Sequence, residues 1–555
     1  MAADRYDTTR MWISSASCAL FASLVSMAAW STCLNPLPPP NVPVFHSNPG
    51  ALRIVYLDFN GYCEDNYLVR SLPAETWPPF DTSSDPNAIH DIWERVAEDM
   101  APFDVDVTTQ YPSNLGEHFF WDSDAGERLS GIRVVVTGAD LLPGHGRSPA
   151  HPLPYNVVYV DQFAAQSGVL QRRSNRAVAQ TVSHELGHTF SFYLSDVTGA
   201  SLGLSHYTLP RHNLTAQHKT PILGLAANER DIWWKDPMVA VVDENGAVIH
   251  RPQEDMMVLW AATAFRADDH RDEAGLATPL VSSGGATSLA GHGIITMNAA
   301  SFPSSCAIWG DPAHPMCYVW RQAHGPQPGL LDDEDFFRFR TANAGTFEVR
   351  ALTINNPGSD FTRANLDAEI ELWRKPAGGA WSPSTAFNRL SLPDDLSVGI
   401  SVTESSASGA EYAVAIKSAG GYGDLGQYSV TATGPIVREA IQNIRLDDPE
   451  VPAYDEAKVQ FDGTDSAWYR ISPSEPGTLT ITAEGFDAYD GGYAELALYD
   501  SSMRPVAIVK GADAPINQPA AKGETYLLRV SGRKTSGRVT FQLTWDKPME
   551  RARAG

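Results

Sequence analysis

Two histidines and a glutamate stand at a spacing that could bind and use a metal ion. His184, Glu185 and His188 form a His-Glu-x-x-His motif. Positions i and i+4 share one face of a helix, so both imidazoles can reach one ion if the segment is helical. Glu185 would then lie beside the ion, where a carboxylate can accept a proton from a zinc-activated water. The motif predicts a hydrolytic zinc site, although five residues can also match by chance in a chain this long.

The residues after the motif continue it in an interrupted form. Residues 203–206 read Gly-Leu-Ser-His, and removing residues 191–202 joins the chain as HELGHTF-GLSHY. The joined string follows the pattern His-Glu-x-x-His-x-x-Gly-x-x-His. Without the removal, Ser191 stands at the glycine position and Leu194 at the third histidine position, and neither can replace the expected residue. The pattern therefore indicates a loop insertion.

His206 is the preferred third zinc ligand under this interpretation. A loop inserted after Phe190 costs little conformational entropy, and coordination depends on position rather than on sequence distance. Asp196 is the competing ligand, because it is nearer in sequence and a carboxylate also binds zinc.

The surrounding sequence predicts an α/β layer that positions the motif. Residues 175–182 have a helical pattern of buried positions, and a second helix is expected over residues 89–100. Strands are expected at residues 53–60, 103–109, 131–138 and 157–160. We expect the metal helix to pack under the resulting sheet.

Residues 51–262 resemble bacterial reprolysin-like metalloproteases of the metzincin group. The strings VYLDFNGY, IWERVAEDMAPFDVDVTT, VVYV and HELGH occur in the order seen in that family. The resemblance implies a catalytic domain with a twisted mixed sheet, a zinc ion on His184, His188 and His206, and Glu185 as general base. It also implies that an extended peptide substrate pairs with residues 156–160 as the sheet edge.

One residue departs from the family pattern. The family has a methionine turn beneath the zinc, and the corresponding string here is Thr-Pro-Ile-Leu-Gly at residues 220–224. Leu223 replaces the methionine, which packs under the metal site without binding it. Leucine can keep that floor apolar, so the departure removes no ligand.

The C-terminal half reads as β-structure. A hairpin is expected within residues 236–250 and a closing helix at 253–263, after which short alternating strands dominate. Four segments recur in order: DFFRF and AWYRI, GTFEV and GTLTI, AEIELW and AELALY, and YAVAI and YLLRV. The repeat predicts two similar β-sandwiches, at residues 264–436 and 437–548 with a tail at 549–555, that resemble pre-peptidase C-terminal domains.

Acidic residues cluster in the turns of the first sandwich. Calcium could bind among Asp268, Asp269, Asp333, Glu334 and Asp335. Since no spaced calcium loop is present, we interpret these residues as solvated turn acids.

Residues 1–32 read as a secretory signal peptide rather than a membrane anchor, and residues 33–50 as a proline-rich linker. We therefore expect a secreted, extracellular or periplasmic protein without stable membrane insertion, in which Cys306 could pair with Cys317 and Cys33 with Cys63. The net charge of −25, from 41 Lys and Arg against 66 Asp and Glu, argues against nucleic acid and anionic membranes as partners. We expect a monomer.

These observations predict a secreted zinc endopeptidase that acts on proteins or peptides. The alternative is a catalytically decayed metzincin-fold protein that binds a partner through its β-sandwiches. A third possibility is a gluzincin-type site, with Asp196 or a distant acid completing the ligand set.

Overall fold

A computed structural model of the 555-residue chain describes most residues between 42 and 545. It does not describe residues 50, 52, 64–75, 113–130, 139–145, 148–156, 167–168, 193–218, 224–229, 234, 243–247, 267, 271, 282–287, 298–332, 355–362, 377, 393, 395, 408, 421–422, 438–441, 447–452, 474–475, 485–492, 502–504, 511–514 or 521–523. The expected signal peptide, Cys33, Cys306 and Cys317 lie outside the described residues.

The N-terminal part of the chain is an α/β layer. Its elements are β1 (Arg53–Asp58), β2 (Tyr62–Cys63), β3 (Thr76–Trp77), α1 (Ala88–Asp99), β4 (Val105–Thr108), β5 (Gly131–Thr137), β6 (Gly146–Arg147), β7 (Val157–Asp161), β8 (Phe163–Gln166), β9 (Val169–Arg172) and α2 (Asn175–Phe192).

Five of these strands form one twisted mixed sheet in the order β4-β1-β5-β7-β6. All neighbours are parallel except β6, which runs antiparallel to β7. Every residue of β5 is buried, as expected for a central strand covered on both faces. Helices α1 and α2 pack against each other and against this sheet, so the predicted α/β layer is present.

The predicted role of residues 156–160 as a sheet edge is wrong. Strand β7 lies between β5 and β6, because Gly146 and Arg147 pair with Val160 and Tyr159 on its outer side. The sequence gives little sign of β6, since a two-residue strand has no readable periodicity. The outer edge of the described sheet on this side is therefore β6.

A hairpin and a helix follow α2. The elements are β10 (Lys219–Pro221), β11 (Arg230–Ile232), β12 (Lys235–Val242), β13 (Val248–Glu254) and α3 (Asp255–Thr263). Strands β12 and β13 pair antiparallel, so the predicted hairpin is confirmed. No helix among the described residues has both the length and the apolar character needed to cross a bilayer.

The first β-rich unit consists of two stacked sheets. Its elements are a 3-10 helix (Ala274–Leu276), β14 (Thr278–Pro279), β15 (Ser288–Ile295), β16 (Glu334–Thr341), β17 (Gly345–Thr353), β18 (Ala368–Lys375), β19 (Ser382–Ser384), β20 (Asn388–Arg389), β21 (Val398–Glu404), β22 (Glu411–Ser418), β23 (Gly426–Thr433) and β24 (Ile436–Val437). One sheet has the order β14-β16-β22-β18-β19 and the other β15-β23-β17-β21-β20. Alternating buried residues of both sheets face a shared core, as in a β-sandwich.

The second β-rich unit repeats this pairing with fewer, longer strands. Its elements are β25 (Gln442–Leu446), β26 (Ala453–Pro473), β27 (Gly477–Glu484), β28 (Tyr493–Tyr499), β29 (Pro505–Lys510), β30 (Ile516–Ala520) and β31 (Tyr526–Trp545). The two halves of β26 correspond to β15 and β16, and the two halves of β31 to β22 and β23. A register shift between Phe461 and Thr464 separates the halves of β26.

Strand register supports the internal sequence repeat. Asp335 pairs with Ile416 in the first unit, and the matching residues Ala467 and Val530 pair in the second. The short strand β14 pairs in parallel with β16 at Phe337, and its counterpart β25 pairs in parallel with β26 at Tyr469. Phe337 and Tyr469 are matching residues of the sequence repeat. The two units are therefore copies of one pairing scheme.

The α/β layer and the first sandwich share one continuous core. Phe103, after α1, stacks on Phe265, the first residue of the segment that enters the sandwich, at a ring-centroid distance of 5.7 Å. Phe103 also packs edge-on against Trp233. On the opposite side of α1, Arg363 of the sandwich donates to Asp91 and Glu94.

Two buried carboxylates at the end of α1 complete this junction. Glu98 accepts hydrogen bonds from the backbone nitrogens of Asn365 and Gln427 at 3.0 and 3.1 Å, and from the Gln427 side chain at 3.2 Å. Asp99 accepts from the Asn365 side-chain amide at 2.9 Å. Burial outweighs these hydrogen bonds and raises the pKa of Glu98 to about 8 and that of Asp99 to about 6.

Stability should therefore fall as the pH rises from about 4.5 to about 8. In this window the Glu98 carboxyl ionises in the unfolded chain, at its ordinary pKa of 4.5, but stays protonated in the folded protein. The contribution is fully present below pH 4.5 and is lost once the pH passes 8. We expect Glu98→Gln to flatten the pH dependence of the free energy of unfolding, measured by urea denaturation at pH 5 and pH 8, by on the order of 2–5 kcal/mol.

Glu94→Gln is the matched control, since Glu94 lies on the same helix and also bonds the sandwich through Arg363. This variant should lower stability by a similar amount at both pH values. An unchanged pH profile in Glu98→Gln would show that burial of Glu98 does not govern the junction.

Candidate functional site

Helix α2 brings the two motif histidines together on one face. Their ring centroids are 4.8 Å apart, and the Nε2 atoms of His184 and His188 are separated by 3.1 Å. Both histidines are half-buried. The i, i+4 spacing thus produces the convergence of two nitrogen donors that the motif requires.

The orientation of His184 is fixed by a backbone carbonyl. Its Nδ1 lies 2.9 Å from the carbonyl oxygen of Ile222, which can only accept, so Nδ1 carries the proton. In a neutral ring this leaves the lone pair on Nε2, the atom that faces His188. Metal-binding histidines are commonly held in this way by a hydrogen bond to the other ring nitrogen.

The spacing of the two nitrogens fits a tetrahedral zinc ion. Two Zn–N bonds of about 2.0–2.1 Å at the tetrahedral angle separate the nitrogens by about 3.3 Å. The observed 3.1 Å is close to this value. The separation of the two nitrogens therefore allows both of them to bind one Zn²⁺ ion.

Glu185 stands between the histidines in sequence and turns inward on the helix. It is 9% exposed, so the residue directly after His184 is buried.

Leu223 and Trp233 form an apolar floor beneath the motif. Both side chains are buried, and a Cβ built on Gly187 would lie 3.0 Å from Leu223 and 3.1 Å from Trp233. The helix approaches this closely because residue 187 has no side chain. Leu223 thus occupies the place beneath the motif at which the resemblance puts a methionine.

A hydrogen-bonded anchor joins this floor to α1. Ser183, directly before His184, donates to the Asp99 carboxylate at 2.5 Å. The Trp233 indole donates to the Asp99 backbone carbonyl at 2.6 Å. Asp99 therefore contacts both helix α2 and its apolar floor, and through Asn365 it also contacts the first sandwich.

The remaining predicted ligands lie outside the described residues. His206 and the competing Asp196 both fall in residues 193–218. The structure brings together His184 and His188, with Glu185 beside them. The prediction of His206 as third ligand remains a prediction.

The anchor residues were missed by sequence reasoning. Asp99 reads as the acidic end of an amphipathic helix, and Trp233 as one of two tandem tryptophans in a loop. Their only signal is tertiary, because Asp99 is 84 residues from Ser183 and 134 from Trp233.

The interpretation of the sandwich acids as solvated is wrong for two of them. Asp333 and Asp335 are 1% and 0% exposed. Burial and the neighbouring aspartates raise the pKa of both carboxyls well above their ordinary value. Glu334 is separate from this group, because its partly exposed side chain lies 3.6 Å from Lys417.

Comparisons with known proteins yield no family. No family model matches the sequence, and no curated protein matches it. Among solved structures, tripeptidyl peptidase 2 aligns with a TM-score of 0.14 and 10% identity over 39% of this chain and 22% of that one. The CUB1-EGF-CUB2 region of human MASP-1/3 aligns with a TM-score of 0.12 and 8% identity over 38% of this chain and 93% of that one.

Leu223→Met should leave the site intact, because the two side chains have similar volume and the exchange costs less than about 1.5 kcal/mol. Leu223→Ala should cost about 2–5 kcal/mol by leaving a cavity under Gly187. Both free energies can be measured by chemical denaturation, with zinc content determined alongside. Equal effects of methionine and alanine would contradict the role of Leu223 as a packed floor.

Proposed function

We propose that the protein is a zinc endopeptidase that hydrolyses peptide bonds with Glu185 as general base. The observation that carries the proposal is the 3.1 Å approach of two Nε2 atoms on α2, with the tautomer of His184 fixed by Ile222. Sequence resemblance to metzincins supports the same assignment and adds His206 as the third ligand.

In such a site, zinc supplies Lewis acidity and lowers the pKa of water, so that a nucleophile forms at neutral pH. The roles of the protein groups follow from their positions. His184 and His188 would hold the ion as neutral imidazoles, and the Ile222 carbonyl keeps the proton of His184 on Nδ1, so that Nε2 carries the lone pair. Glu185 would accept a proton from the attacking water and return it to the leaving amine.

The apolar floor and the anchor restrict motion of the metal helix. Leu223 and Trp233 pack under Gly187, while Asp99 holds Ser183 one residue before the first ligand. A support of this kind keeps the ligands near one geometry, which hydrolytic sites require.

The edge strand β6 is the candidate for pairing with substrate. It is the outermost strand of the described sheet beside β7, and an extended peptide can add to an exposed edge through its backbone. This assignment moves the expected substrate contact from residues 156–160 to Gly146 and Arg147.

Glu185→Ala should retain zinc and lose proteolysis by a factor of about 100 or more, because general-base catalysis contributes roughly 10²–10⁴. The measurements are zinc content of the purified full chain and cleavage of an unstructured protein such as casein. Glu273→Ala removes an exposed carboxylate outside the site and should retain both properties. Retained cleavage in Glu185→Ala would remove Glu185 from the mechanism.

Single alanine variants of His206 and Asp196 identify the third ligand. We expect His206→Ala to lose zinc, as His188→Ala should, and Asp196→Ala to keep about one zinc per chain. The opposite pattern would assign Asp196. A wild-type protein without zinc or proteolysis would instead support the alternative of a decayed protease that binds partners through its sandwiches.

A further inference from the structure

We propose that a calcium ion binds in the first sandwich, between the segment that leaves the α/β layer and the start of β16. The ligands are the carboxylates of Asp268, Asp333 and Asp335. This site is separate from the histidine pair, and the proposal does not depend on the proposed proteolysis.

The geometry of the three carboxylates suits one hard cation. One oxygen from each of Asp268, Asp333 and Asp335 lies within 4.8 Å of the other two. Calcium binds oxygens at about 2.3–2.6 Å, so two ligands on opposite sides of the ion are separated by at most about 5 Å. The three oxygens can therefore all reach one ion.

An unsatisfied oxygen points to a ligand in addition to the acidic composition. Asp335 is fully buried, and its Oδ2 accepts a hydrogen bond from the Tyr428 hydroxyl at 2.5 Å. Its Oδ1 is also buried but has no hydrogen-bond partner among the described residues. A buried carboxylate oxygen left without a partner is costly, so this position calls for a proton or a cation.

The surrounding groups hold the carboxylates without neutralising them. Asp333 accepts from the backbone nitrogen and the hydroxyl of Thr296, which are both neutral donors. Gly293 allows the close approach of strand β15, since a Cβ there would lie 2.6 Å from the Asp335 carboxylate. The three carboxylates thus come from the segment at Asp268 and from the start of β16, and the groups that hold Asp333 and Asp335 are neutral donors.

The chemistry of the ligands favours calcium over zinc. Three carboxylate oxygens and no sulfur form a hard ligand set, and the exposed Asp268 leaves room for waters to complete six to eight ligands. Magnesium is a poorer match, because it requires near-octahedral geometry at about 2.0–2.1 Å.

The position of the site gives the ion a structural role. The adjacent Asp269 accepts from Arg529 of the second sandwich through its backbone carbonyl at 3.4 Å. The segment that contains Asp268 and Asp269 begins at Phe265, and Phe265 stacks on Phe103 of the α/β layer. A calcium ion on Asp268 would therefore fix the segment at which the three units meet.

The test is thermal unfolding of the full chain after chelation, with zinc restored at a fixed concentration and calcium or magnesium then added. Calcium should raise Tm with increasing concentration, and magnesium at equal concentration should raise it less, because a cation bound only to the folded state adds stability by mass action. Binding is measured directly by calorimetric titration of calcium chloride.

Asp335→Asn should abolish the calcium-dependent shift, and Asp268→Asn should weaken calcium binding about tenfold or more. Asp268 is exposed, so its variant folds even if the buried substitution does not. Glu348→Gln removes an exposed acid from the same sandwich and should keep the wild-type calcium response.

Two results would overturn the proposal. One is a calcium response that is absent or no larger than that of magnesium. The other is an equal response in the wild type and Asp268→Asn. If protons rather than calcium satisfy the cluster, calcium will have no effect, and Asp335→Asn will stabilise the chain at neutral pH.

Discussion

The end of α1 is the connection on which the arrangement of the site depends. Glu98 and Asp99 are neighbouring carboxylates in a buried position, and each joins the helix to a different part of the protein. Glu98 accepts from the first sandwich. Asp99 bonds Ser183 of helix α2 and Trp233, which packs under that helix. Since buried carboxylates are stable only with such donors, the sandwich supplies part of what orders the histidine pair.

This connection changes how the C-terminal units are understood. An appended binding domain would meet the α/β layer through a linker and a modest polar interface. Here aromatic stacking of Phe103 on Phe265 joins the two hydrophobic cores directly. The first sandwich therefore belongs to the same structural unit as the histidine pair. The second sandwich has a core of its own and meets the first through a smaller buried cluster that includes Val281 and Trp468.

Local patterns in the sequence predicted the elements but not the contacts between them. The i, i+4 histidines, the apolar runs of β1 and β5 and the Asn-Gly hairpin all act over a few residues, so they could be read directly. The four segments that recur in order predicted a second copy of the first sandwich, and strand register agrees with this repeat. The roles of Asp99 and Trp233, the edge position of β6 and the burial of Asp335 arise from distant segments, and no short-range periodicity encodes them.

The long strands of the second sandwich have a mechanical consequence. In the first sandwich, β15 pairs with β23 and β16 pairs with β22 as four separate strands. In the second sandwich, the two long strands β26 and β31 form both of the corresponding pairings. Each long strand passes from one half of the pairing scheme to the other at a bend such as that near Phe461. Because each long strand belongs to both halves of the second sandwich, separating one half also breaks hydrogen bonds in the other. The second sandwich should therefore yield to pulling force in a single step, whereas the separate strands of the first can detach in sequence.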